Sequence, residues 1–144
     1  MLEVTRLSIE DARILIDAAV AASDQIGIPM CIAVADESGN LLAFERMDGG
    51  KISSISIAID KAFTGAAARK PTHVYNQLCQ PGQPTFGIHI TNGGHFSIIG
   101  GGFPVTLKGV VVGGIGISSG TANEDVQVAE AALEQFYNRT GYER

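Results

Sequence analysis

Apolar and polar positions along the chain follow two different periods, and the changes of period mark out the elements. Between residues 8 and 27, apolar side chains recur at helical spacing at Ala12, Leu15, Ile16, Ala19, Val20 and Ile26. Ser8, followed three residues on by Asp11, is a variant of the capping box, and Gly27 with Pro29 closes the helix. The helix is amphipathic, so it lies on another layer. Residues 30–35 form a nearly unbroken apolar run, the pattern of a strand buried on both faces. Residues 36–40 have turn composition, and 41–47 are the returning strand of a hairpin.

A second helix is predicted over 52–69. At 100° per residue, Ile52, Ile55, Ile59, Ala62, Phe63 and Ala66 share a face. Ser53, Asp60 and Thr64 share a polar stripe, with Lys61 at its edge. Pro71 breaks the pattern and starts a short helix over 72–80, and 81–84 is a loop.

Strand signals resume at 86–91 and 95–99, on either side of Asn92-Gly93, a short-hairpin signal. A two-residue turn there puts His89 and His95 on opposite faces, and a three-residue turn puts them on one. The pattern leaves both open. Residues 103–107 and 110–118 make another hairpin around Lys108-Gly109, and the second strand is apolar enough to sit centrally. Thr121 and Glu124 form a capping box for the last helix. Its core stripe is Val126, Ala129, Leu133 and Phe136, and 138–144 is a loose tail. The order is helix, two strands, two helices, three or four strands, helix. No strand–helix–strand alternation dominates, so this is an α+β domain: an antiparallel sheet with helices on both faces.

At 144 residues the chain is one domain, 1–144. A hydrophobic content of 45% without Trp makes the core aliphatic. The net charge of −5 and the lack of any Lys/Arg cluster exclude nucleic acid and anionic membrane surfaces as partners. Cys31 and Cys79 form no C-x-x-C motif and read as ordinary thiols of a reduced compartment. With no signal peptide and no membrane-length apolar run, the expected location is the cytoplasm.

The specialised motifs are missing. There is no P-loop, no dinucleotide fingerprint, no Gly-x-Ser-x-Gly elbow and no metal-ligand spacing, so no metal and no Ser or Cys nucleophile is expected. The candidates that remain are single groups. Arg46 and Asp48 stand at a strand end, where a guanidinium holds a carboxylate by two hydrogen bonds or the two residues simply pair. Lys61 and Asp60 lie on the outward side of the second helix, available for acid–base work or anion binding, or merely solvated. His89 alternates with Ile88 and Ile90 and points away from their face. Gly100-Gly101-Gly102 lets backbone amides approach a ligand, or serves a tight chain crossing.

The blocks Pro29-x-x-Ile32-Ala33-Val34-x-Asp36-x-x-Gly39-x-Leu41-x-Ala43-x-x-Arg46-Met47-Asp48-Gly49 and Ile57-Ala58-x-Asp60-Lys61-Ala62-x-Thr64 are followed by Gly101-Gly102-x-Pro104-Val105, Gly113-x-Ile115-Gly116-Ile117-Ser118 and Ala129-Glu130-Ala131-Ala132. This pattern resembles the GlcG/HbpS family, the haem-degrading domain family that includes the C-terminal domain of PduO-type proteins. The resemblance implies a profilin-like fold with a five-stranded antiparallel sheet. It implies a homo-oligomer, from dimer to octamer. For some members it implies haem binding or degradation, and other members resemble tautomerases of 2-hydroxymuconate-type acids in aromatic catabolism.

Residues 8–26 contain no His, Tyr or Cys, so haem would take its axial ligand from His73, His89, His95, Tyr75, Cys79 or a Met. Three functions follow as expectations. The first is a small-ligand protein that binds or degrades haem. The second is a cofactor-free tautomerase or isomerase. Its candidate catalytic groups are Lys61, His89 and His95, and its candidate ligand-binding groups are Arg46, Asp48, Asp60, Thr64, Asn92, Gly101 and Gly102. The third is a non-catalytic structural or sensory module.

Overall fold

A computed structural model describes residues 1–144. Helix α1 (Ile9–Ile26) leads into strands β1 (Cys31–Asp36) and β2 (Leu41–Arg46), then helices α2 (Ser54–Ala67) and α3 (His73–Leu78). Two 3-10 turns follow, at Ile88–Ile90 and Asn92–Gly94, before strands β3 (Gly102–Leu107) and β4 (Val110–Ser118) and helix α4 (Ala122–Thr140). The strands form one antiparallel sheet in the order β2-β1-β4-β3. Both capping boxes form, Ser8 with Asp11 and Thr121 with Glu124, and α1 ends at Gly27 in the left-handed conformation. No helix is long and apolar enough to cross a membrane.

The two faces of the sheet differ in side-chain size. Ile32 and Val34 of β1 and Ile115 and Ile117 of β4 join Leu15, Leu133 and Phe136 in the large core under α1 and α4. The opposite face presents Cys31, Ala33 and Ala35, which pack with Ala58 and Ala62 of α2. Beside them β4 carries Gly114 and Gly116, where a Cβ would overlap the carbonyl oxygens of Ala62 and Ala58. Glycine there lets α2 lie directly on the strand.

This close approach shifts the buried face of α2 from the expected one: Ala62 and Ala66 are buried as expected, and Ala58 and Gly65 join them. Its small face is the buried one, including Ala58, Ala62, Gly65 and Ala66. The expected core positions Ile55, Ile59 and Phe63 are only half-buried, and Ile52 is exposed. Sheet glycines admit a helix only by its smallest side chains, so Ile55 and Ile59 pack at the edge of the alanine cluster rather than at its centre.

The sheet has four strands, not five. Residues 86–99 form no hairpin. Gly87, Asn92, Gly93 and Gly94 all have positive φ, and short-range bonds such as Ile90 N–H to Gly87 O and His95 N–H to Asn92 O curl the segment. The neighbouring edge strand β3 contains Pro104, which has no N–H to offer a fifth strand. The tail is also tied down. α4 runs to Thr140, Lys108 N–H donates to Glu143 O at 2.8 Å, and the Tyr142 hydroxyl reaches Asp11.

Candidate functional site

Lys61 lies on the sheet side of α2 and is 1% exposed, which corrects its expected outward position. Its ammonium donates to the Ile117 carbonyl at 2.8 Å and to Asp125 Oδ2 at 2.9 Å. Asp125 Oδ1 accepts the Gly120 N–H at 2.9 Å. Burial lowers the Lys61 pKa and raises that of Asp125, and in each case the partner's charge opposes the shift. The pair joins α2, the end of β4 and the first turn of α4.

Gly101 and Gly102 are buried around this pair. A Cβ on Gly101 would lie 2.5 Å from the Ile117 carbonyl oxygen and 3.0 Å from Lys61 Nζ. The Gly102 N–H donates to Thr72 Oγ1 at 2.9 Å, and that hydroxyl donates to Ile99 O at 2.6 Å. The glycine run therefore serves a tight chain crossing. Asp125 and Thr72 both escaped the sequence reading, because their partners lie 64 and about 30 positions away.

The outer side of α2 holds the more accessible chemistry. His95 Nδ1 is 2.8 Å from Asp60 Oδ1, and the imidazole Nε2 makes no hydrogen bond. A carboxylate acceptor at Nδ1 selects the tautomer with its proton there, which leaves the Nε2 lone pair free. Thr64 fixes the backbone behind this pair. Its hydroxyl donates to the Asp60 carbonyl at 2.8 Å and accepts the Ser97 N–H at 2.9 Å. The curled segment is thereby held against α2 at the position of His95.

Two grooves flank the pair. One, of about 310 Å³, is lined by Gly39, Ile59, Asp60, Phe63, Asn92 and His95. The other, of about 360 Å³, shares Asp60 and has Ile57, His89, Phe96, Ile98 and Ile99 among its walls. His89 is exposed, and its Nδ1 lies 3.1 Å from Cys79 Sγ. Four of the expected residues, Asp60, His89, Asn92 and His95, therefore line adjoining grooves, and Thr64 supports them.

Arg46 and Asp48 lie elsewhere. Arg46 is exposed at the end of β2, opposite Cys31, and forms no ion pair with Asp48. Asp48 borders an open hollow beside Asp24, Pro29 and Met47. No group of three or more His, Cys, Asp or Glu side chains gathers as a metal cage.

Residues 7–134 match the family model described as haem degrading protein HbpS-like. A 15.0 kDa protein of the dhaT-dhaS intergenic region of Citrobacter freundii is 35% identical over 93% of this chain and 94% of its own length. The Klebsiella pneumoniae protein ORFY superposes with a TM-score of 0.92 at 32% identity, covering 94% of both chains. A PduOC chain solved as a heme complex superposes with a TM-score of 0.87 at 30% identity, covering 91% of this chain and 95% of that one. With its fold shared and its family pattern matched over nearly all its length, the chain belongs to the HbpS-like family.

Proposed function

We propose that this protein binds haem on the outer side of α2, where His95 Nε2 would hold the iron. The observation that carries the proposal is the Asp60–His95 pair at 2.8 Å. A ligating histidine characteristically gives its other ring N–H to a carboxylate, which fixes the ring and strengthens the free nitrogen as a donor. Ile59 and Phe63 line the same groove and suit the face of an apolar macrocycle. Neither groove is lined by Lys or Arg, so the ring's carboxylates would remain solvated. Bound haem would supply one-electron and oxygen chemistry. The chain's own residues would hold the ring through His95, which Asp60 orients, and cover part of one face with Ile59 and Phe63. The similarity to a chain solved with heme supports the reading.

Titration with haemin tests it. Wild-type protein is expected to shift the Soret band at stoichiometric haemin, His95→Ala to lose the shift, and His89→Ala to keep it. A wild-type spectrum identical to free haemin would remove the proposal. Self-association belongs to the same reading and is supported by the exposed Ile52 and half-exposed Ile59 and Phe63. Sedimentation at micromolar concentration is expected to give a species larger than the monomer.

The same pair favours a second reading, proton transfer on a small carboxylated enol. His95 Nε2 would act as the base, and Asn92 in the same groove would polarise the oxygen. Following 2-hydroxymuconate absorbance with and without protein tests this, and equal rates reject it.

A further inference from the structure

Away from both grooves on α2, the two ends of the chain close a small cavity on the opposite side of the sheet, at the margin of the large core. The Leu7 N–H donates to the Val112 carbonyl at 3.0 Å, and the Lys108 N–H donates to the Glu143 carbonyl at 2.8 Å. The first tie lays the segment before α1 on β4, and the second lays the tail after α4 on the turn between β3 and β4. Between them is a cavity of about 120 Å³, walled by buried Leu7, Val112 and Phe136 and half-buried Leu107. An apolar cavity of about this size holds one six-membered ring.

The polar atoms at its rim are incompletely used. Asp11 Oδ2 accepts the Ser8 N–H and hydroxyl, both at 2.8 Å, whereas Oδ1 accepts only the Tyr142 hydroxyl, at 3.4 Å. Arg6 gives Nε and Nη2 to Glu37 at 2.9 and 2.6 Å, and its Nη1 makes no hydrogen bond. Arg6, Asp11 and Tyr142 all line the cavity. Tyr142 also shows what the site accepts. Its phenol ring stands edge-on to Phe136 with centroids 5.8 Å apart, and its hydroxyl turns to Asp11.

We propose that this cavity is a binding site for a small neutral phenol. The ring packs among Leu7, Leu107, Val112 and Phe136, beneath Tyr142. Its hydroxyl donates to Asp11 Oδ1, a carboxylate oxygen with lone pairs for more than one donor, and accepts from Arg6 Nη1. Asp11 disfavours an aryl carboxylate in the same place, and Glu37 already neutralises the Arg6 charge that would attract one. The site shares no residue with the grooves beside His95, so it stands or falls independently of haem binding.

Phenol is the probe, titrated into the full chain and followed by the methyl signals in carbon–proton correlation NMR. The Leu7, Leu107 and Val112 methyls are expected to shift together and saturate, with half-saturation on the order of 1 mM. The Ile59 methyls, beside His95, are expected to stay in place. Anisole keeps the ring and lacks the hydroxyl proton, and it is expected to bind about tenfold more weakly. Leu107→Phe fills the cavity and is expected to abolish the Leu7 and Val112 shifts. Should that variant lose its dispersed methyl spectrum, Tyr142→Ala makes the comparison from the tail, with phenol expected to bind about fivefold more weakly. Shifts that grow without saturating, equal affinity for phenol and anisole, or wild-type phenol affinity in the folded variant overturns the proposal.

Discussion

Asp60 and Lys61 are adjacent in the chain, yet they serve different faces of α2. Asp60 reaches outward to His95 at 2.8 Å, and Lys61 reaches inward to Asp125 at 2.9 Å. One turn of helix therefore carries both the exposed histidine pair and the buried ion pair that anchors the helix behind it. The two pairs respond to mutation differently, because one is solvated and the other is not.

Removing one partner of the buried pair leaves an uncompensated charge. Asp125→Asn is expected to cost about 3–5 kcal/mol in urea unfolding. Lys61 in that variant has lost the charge that opposed its depressed pKa. The unfolded chain then binds more protons than the folded one over the range below the ordinary lysine pKa. Stability of the variant should therefore rise with pH toward that range. A variant whose stability falls over the same window would contradict the assignment.

The glycines under α2 set the helix–sheet distance. Gly116→Ala would push a methyl group into the Ala58 carbonyl, and backbone cannot yield as a side-chain tip does. The expected loss is about 3 kcal/mol in the unfolding free energy. Gly109→Ala, where a Cβ meets nothing within 4 Å, has no such clash and carries only the strain of its φ of 77°. It should cost about 1 kcal/mol.

Asp60 acts on the proposed ligand only through His95. Asp60→Asn is expected to weaken haemin binding about 10–100-fold while leaving far-UV circular dichroism unchanged. Haemin affinity equal to wild type would show that the carboxylate does not support the ligand.

Thr64 holds the segment that carries His95. Thr64→Val removes the acceptor for Ser97 N–H and the donor to Asp60 O. Hydrogen exchange of the Ser97 amide should quicken, with a stability loss of about 1–3 kcal/mol, because the freed amide is partly buried. Unchanged exchange would separate Thr64 from the loop.

Elements with local signals were legible in the sequence. The capping boxes at Ser8 and Thr121, the apolar run of β1 and the Lys108-Gly109 turn each depend on near neighbours, and each formed as read. The segment around Asn92-Gly93 carried the same kind of signal and misled. Its curl depends on four positive-φ residues in eight positions and on an edge strand that offers no proton at Pro104. The face of α2 was legible only in part, because apolar periodicity assumes that the larger side chains are buried. Here the glycines of β4 favour the small residues, so Ala62 and Ala66 are buried as read while Ile55 and Ile59 are only half-buried, and those glycines lie about 50 residues further along the chain. The family pattern marked Asp60, Lys61 and Thr64 together, but their three separate roles follow only from His95, Asp125 and Ser97.

The central claim is that His95, oriented by Asp60, is the group that meets the ligand. A haemin titration comparing wild type with His95→Ala tests it most directly. A Soret shift in the wild type that vanishes in the variant, with the fold intact by circular dichroism, is the predicted result. A shift of equal size and midpoint in both proteins would contradict the claim.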